Sequence, residues 1–118
     1  MIKFLAIILL FLYPLSNLFS QKNLSNDFVA PLNIPLFLSG NYGELRTDHF
    51  HAGIDIKTQG VKGKPVFVSY EGYVSRIKIQ SGGYGNALYI THPNGYTSVY
   101  GHLDRFMPSI QDYWTNYR

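Results

Sequence analysis

The stretch from Ala87 to Tyr100 restricts the fold more than any other part of the chain. Two short runs, Ala87–Thr91 and Tyr96–Tyr100, are rich in β-branched and aromatic residues and flank His92-Pro-Asn-Gly95. An Asn-Gly between two such runs is the strongest short-range signal for a β-hairpin, because both residues accept the positive φ of a tight turn. Pro65–Ser69 and Tyr73–Gln80 are earlier runs of the same kind, set apart by glycines and polar turns. In Val74-Ser-Arg-Ile-Lys-Ile79 polar residues alternate with apolar ones, as on an antiparallel strand with one face in water. No amphipathic helical pattern occurs before Met107. The expected fold class is all-β, an antiparallel sheet assembled from neighbouring hairpins.

The 118 residues hold at most one small domain. Residues 1–20 carry Lys3, an apolar run from Phe4 to Tyr13 and a small residue at Ser20, the pattern of a secretory signal, so an exported protein of the periplasm or cell envelope is expected. Residues 21–42 read as an extended lead-in with Pro31 and Pro35. Its apolar residues are too many for a free linker, so it should lie along the body of the domain. Ser39–Gly43 reads as a turn cluster. There is no cysteine, hence no disulfide framework and no thiolate nucleophile. The formal net charge of +3 comes from scattered basic residues with no Lys/Arg stripe, which speaks against a nucleic-acid partner.

The chemistry concentrates in Arg46-Thr-Asp-His-Phe-His-Ala-Gly-Ile-Asp-Ile-Lys-Thr58. His51 and Asp55 offer an imidazole nitrogen and a carboxylate oxygen, both suited to zinc. In one extended strand they would sit about 13 Å apart, so the chain must bend between them, and Gly53 is the expected bend. A turn followed by a strand is expected here. His49 reads as a further ligand, as a neighbour that bonds to and orients the pair, or as a surface residue, the last two fitting its place better. His92, before Pro93, is expected to be a solvated turn histidine. His102 ends the last strand, where it could orient a substrate or stabilise developing charge. The glycine-rich Ser81–Asn86 loop lacks the following helix that phosphate-binding loops need. It reads either as a tight loop presenting Tyr84 and Asn86 at a groove or as a plain hairpin turn.

In order and spacing, five segments between Gly43 and Leu103 resemble the lysostaphin and LytM type of zinc endopeptidase. They are His-Phe-His51-Ala-Gly-Ile-Asp55, Gly72-Tyr-Val, Gly83-Tyr-Gly-Asn86, Tyr-Ile-Thr-His92 and Thr97-Ser-Val-Tyr-Gly-His102-Leu. The resemblance implies an antiparallel β domain with a groove over residues 43–118, hydrolysis of peptides in bacterial peptidoglycan, and a Zn2+ cofactor. It makes His51 and Asp55 the first two zinc ligands and His102 a catalytic group. The family's downstream His-x-His segment, which supplies the third ligand, has no counterpart after His102. The expectation is therefore an amino-terminal part of a domain truncated at its C-terminus, inactive by itself. The alternative reading is a non-catalytic module that binds cell-wall peptide or an envelope protein through its tyrosine-rich surface.

Overall fold

The structure, a computed structural model, describes residues 28–117. The expected signal segment and the first residues of the lead-in lie outside these. Five strands and one helix follow in order: β1 (Leu38–Gly40), β2 (Asp55–Ile56), β3 (Tyr73–Lys78), β4 (Ala87–Thr91), β5 (Thr97–Tyr100) and α1 (Pro108–Tyr117). β1 and β2 form a two-stranded antiparallel ribbon, and β3-β4-β5 form an antiparallel sheet in that order. The all-β expectation holds, with one short helix added at the end.

The hairpin β4–β5 pairs Thr91 with Thr97 and Leu88 with Tyr100. Gly95 takes a φ of 87° at the turn, the conformation for which the sequence supplies glycine. β3 pairs with β4 from Tyr73↔Thr91 to Lys78↔Ala87, and the register shifts between Val74 and Arg76. Ser75 is the extra residue of this bulge, and its hydroxyl donates to Tyr89 O at 3.2 Å. Past the bulge, the Arg76 guanidinium lies 5.3 Å from the centre of the Tyr89 ring.

The lead-in does lie along the body. Val29 N–H donates to Ser69 O at 2.7 Å, Phe67 N–H to Pro31 O at 2.8 Å, and Lys57 N–H to Phe37 O at 2.8 Å. Two boundaries differ from expectation. Pro65–Ser69 is not a strand: Pro65 has no N–H, and the facing lead-in carries Pro31 and Pro35, so too few donors remain for a continuous ladder. Ser39 and Gly40 belong to β1 and not to a turn. The helix begins at Pro108, where the missing N–H removes nothing the first turn needs.

His92 also departs from expectation. It is 3% exposed, with Nδ1 donating to Glu71 O at 2.9 Å and Nε2 bonded to Ser98 Oγ at 2.9 Å. Ser98 Oγ in turn lies 3.1 Å from Tyr100 Oη, which accepts from Ser69 N–H at 2.8 Å. Phe28 and Tyr70 pack around the ring at centroid distances of 5.4 and 5.6 Å. The position before Pro93 is a turn, but the side chain points inward and joins the start of β3 to β5. The buried apolar side chains among the described residues are Leu32, Ala87, Ile90 and Phe106, a small core centred on β4.

Candidate metal centre

Residues 43–51 fold back on themselves. Gly43 N–H donates to His51 O at 2.7 Å, His51 N–H to Glu44 O at 2.8 Å, and Arg46 N–H to His49 O at 2.8 Å. This hairpin-like loop presents His51 beside the start of β2, where Asp55 stands. The two side chains converge, with His51 Nε2 3.3 Å from Asp55 Oδ1. The bend between them falls at Gly53, as expected, but not through the left-handed region: Gly53 is absent from the positive-φ glycines. A Cβ there would meet only His51 Nε2, at 3.9 Å. The bend is one that other small residues could take.

Hydrogen bonding decides which imidazole nitrogen is available. Nδ1 of His51 lies 2.9 Å from Asn41 O. A carbonyl can only accept, so Nδ1 carries a proton, and in the neutral ring Nε2 presents its lone pair towards Asp55 Oδ1, the tautomer that metal-binding histidines use. Arg46 Nη2, 3.3 Å from Nδ1, therefore faces an N–H and makes no bond there. In the neutral ring two lone pairs then face each other at 3.3 Å, an arrangement relieved by a cation between them, whereas in the protonated ring Nε2–H donates to Asp55 Oδ1. The gap is long for a charged N–H···O bond, about 2.7–2.9 Å. It fits two ligands each about 2.0–2.2 Å from one tetrahedral zinc ion.

Asp55 is held from its other side. Arg46 Nη2 donates to Asp55 Oδ2 at 2.7 Å and to Glu44 Oε2 at 3.2 Å. The Arg46 hydrogen bond is the main reason the Asp55 carboxyl sits below the usual carboxylate range; the charges of His51, Arg46 and His102 add to it and partial burial opposes it. His102 is thus near enough to Asp55 for its charge to act on the carboxylate. The Arg46 and Asp55 side chains are 38% and 41% exposed, so as an ion pair they add little to stability.

His102 is set by the glycine loop. Its φ is +55°, a left-handed conformation uncommon for a residue with a side chain. Its N–H donates to Tyr84 O at 2.7 Å, and Leu103 N–H donates to Asn86 O at 3.0 Å. The Asn86 side-chain amide donates to Leu103 O at 3.0 Å. Gly101 faces the Tyr84 ring, where an added Cβ would lie 3.2 Å from Cδ1. Tyr84 and Asn86, groove candidates in one of the two readings of this loop, hold the turn that carries His102. His49 is paired with its neighbour Asp48 on the exposed surface. Arg46 and Asn41 are the site residues that sequence reasoning passed over. The available signal was Arg46, nine positions before Asp55 in the same segment.

His51 and Asp55 are thus two side chains of metal-ligand type brought to one point. Among the described residues there is no group of three or more His, Cys, Asp or Glu that could hold a metal ion. The sequence profile of peptidase family M23 matches residues 49–113, more than half of the chain and all of the segment from His49 through His102. The chain belongs to peptidase family M23. It is 42% identical over 62 residues to the "DD-carboxypeptidase/endopeptidase Mpg" of Neisseria meningitidis serogroup B (strain ATCC 13091 / M2091), an alignment covering 52% of this chain and 14% of the relative. The same figures hold for the Mpg proteins of Neisseria gonorrhoeae (strain ATCC 700825 / FA 1090) and of N. meningitidis strain ATCC BAA-335 / MC58. The chain thus spans about 14% of the length of these curated relatives. No solved structure matches it significantly.

Proposed function

We propose that this M23 chain carries the amino-terminal half of a zinc endopeptidase site acting on the peptides of bacterial peptidoglycan. In this reading residues 1–20 are an export signal, 21–42 the lead-in and 43–118 the peptidase part, working in the periplasm or cell envelope. The observation that carries it is the His51 Nε2 to Asp55 Oδ1 pair at 3.3 Å, with Nδ1 committed to Asn41 O. Family membership and the DD-carboxypeptidase/endopeptidase activity named for the Mpg relatives support the substrate class.

His51 and Asp55 would hold the ion, and bound zinc lowers the pKa of a water to about 7 and polarises a carbonyl. Asn41 O keeps the proton on Nδ1. His102, fixed by Tyr84 and Asn86, supplies an imidazole to the charge that develops on the attacked peptide carbonyl. Two protein ligands leave half of a tetrahedral sphere open, whereas catalytic zinc sites use three. With these two ligands and no third among the described residues, weak zinc binding without turnover is the expected outcome for this chain.

The test is zinc content and release of peptides from purified peptidoglycan, measured for the chain and for the longest product of its gene. Full zinc occupancy in His51→Ala would sink the ligand assignment. A second reading, a non-catalytic module for cell-wall peptide or an envelope protein, draws on the lack of a third ligating side chain among the described residues. Retention on peptidoglycan that survives chelation and the His51→Ala change would favour it.

A further inference from the structure

We propose that Arg46 is a positioning residue for the metal pair: by occupying Asp55 Oδ2 it leaves Oδ1 as the oxygen that faces His51 Nε2. The inference rests on the reading of His51 and Asp55 as metal ligands. A free carboxylate has two equivalent oxygens and a rotating plane. Here Nη2 holds Oδ2 at 2.7 Å and is itself steadied by Glu44 Oε2 at 3.2 Å. Glu44 is bonded through its backbone to His51, whose N–H donates to Glu44 O at 2.8 Å. One guanidinium thus ties both metal-facing groups into a single frame.

A second observation is independent of the hydrogen bond. Gly40 stands opposite Asp55 in the β1–β2 pairing, and a Cβ built on it would fall 2.5 Å from both Arg46 Nη2 and Asp55 Oδ2. Gly40 has no positive φ, so its need for glycine is space alone. The room left by the missing side chain is the room the arginine–carboxylate contact occupies. An exposed ion pair of this kind adds little to stability, so orientation is what the arrangement supplies.

Charge and orientation act in opposite directions. A guanidinium beside Asp55 disfavours a second cation, so an arginine acting through charge alone would weaken metal binding, and its removal would strengthen it. Positioning gives the reverse sign. Outer-shell partners that orient metal ligands are commonly worth about 10–100-fold in affinity.

The experiment is titration of the 118-residue chain with Co2+, followed by its visible absorption, and competition with Zn2+, for wild type, Arg46→Met, Arg46→Lys, Gly40→Ala and His51→Ala. Arg46→Met is expected to weaken metal binding about 10–100-fold with an unchanged thermal midpoint. Gly40→Ala, which displaces the pair by sterics, should lose affinity in the same direction, and Arg46→Lys, which keeps one donor for Oδ2, should fall between. Binding by Arg46→Met as tight as wild type or tighter overturns the positioning role while loss in His51→Ala leaves the metal reading standing. Equal binding by wild type and His51→Ala overturns both. Should Arg46→Met fail to fold, wild-type affinity in both Gly40→Ala and Arg46→Lys overturns the proposal.

Discussion

His102 shows most directly how a single backbone angle can mark function. A left-handed φ of +55° costs a residue with a Cβ about 1–2 kcal/mol, and three backbone and side-chain hydrogen bonds from the glycine loop hold it there. His102→Gly should leave stability unchanged or raise it by up to about 1 kcal/mol in urea unfolding, while removing the imidazole. His102→Val, a β-branched residue poorly tolerated at that angle, should be the less stable of the two. Equal stabilities would mean the angle is not strained. His92 gives the opposite case, an imidazole kept for packing. His92→Leu leaves Glu71 O without its donor while the Ser98 hydroxyl keeps Tyr100 Oη, and a loss of about 1–3 kcal/mol in the same measurement is expected.

Among elements, the meeting of β3 and β4 depends on Gly72. A Cβ at that position would overlap Thr91 O and press on the Ile90 side chain and His92 Nδ1. Gly72→Ala should therefore destabilise by about 1–3 kcal/mol. Amide hydrogen exchange is expected to speed up first in Tyr73–Lys78, the strand that must move away. Uniform acceleration across β4 and β5 as well would show that the three strands open as one unit. The ribbon β1–β2 has a different purpose: its two residue pairs bury little, but they place Gly40 against Asp55 and so set the frame of the metal pair.

Over the whole molecule, the scarcity of burial dominates. The described core comprises Leu32, Ala87, Ile90 and Phe106, while Phe37, Leu45, Phe50 and Tyr73 are among many large apolar side chains in solvent. β3 and β5 are edge strands of their sheet, with backbone groups open to pairing. The 118-residue chain should therefore self-associate as its concentration rises, with sedimentation velocity as the readout. A single monomeric species at every concentration would contradict this.

The strands β3, β4 and β5 and the Asn-Gly hairpin were legible from local pattern, because alternation and turn chemistry act between near neighbours; the helix at Pro108–Tyr117 was not. So was the pairing of His51 with Asp55, since metal-binding residue types four apart leave few other geometries that bring them together. The rest depended on residues meeting across the fold. The inward turn of His92 follows from Glu71 and Ser98, the non-strand at Pro65–Ser69 from the prolines opposite it, and the work of Asn86 from carbonyls 17 and 18 residues away. Arg46 belongs to this second group, because its partner oxygen and the gap at Gly40 come together only once β1 lies against β2.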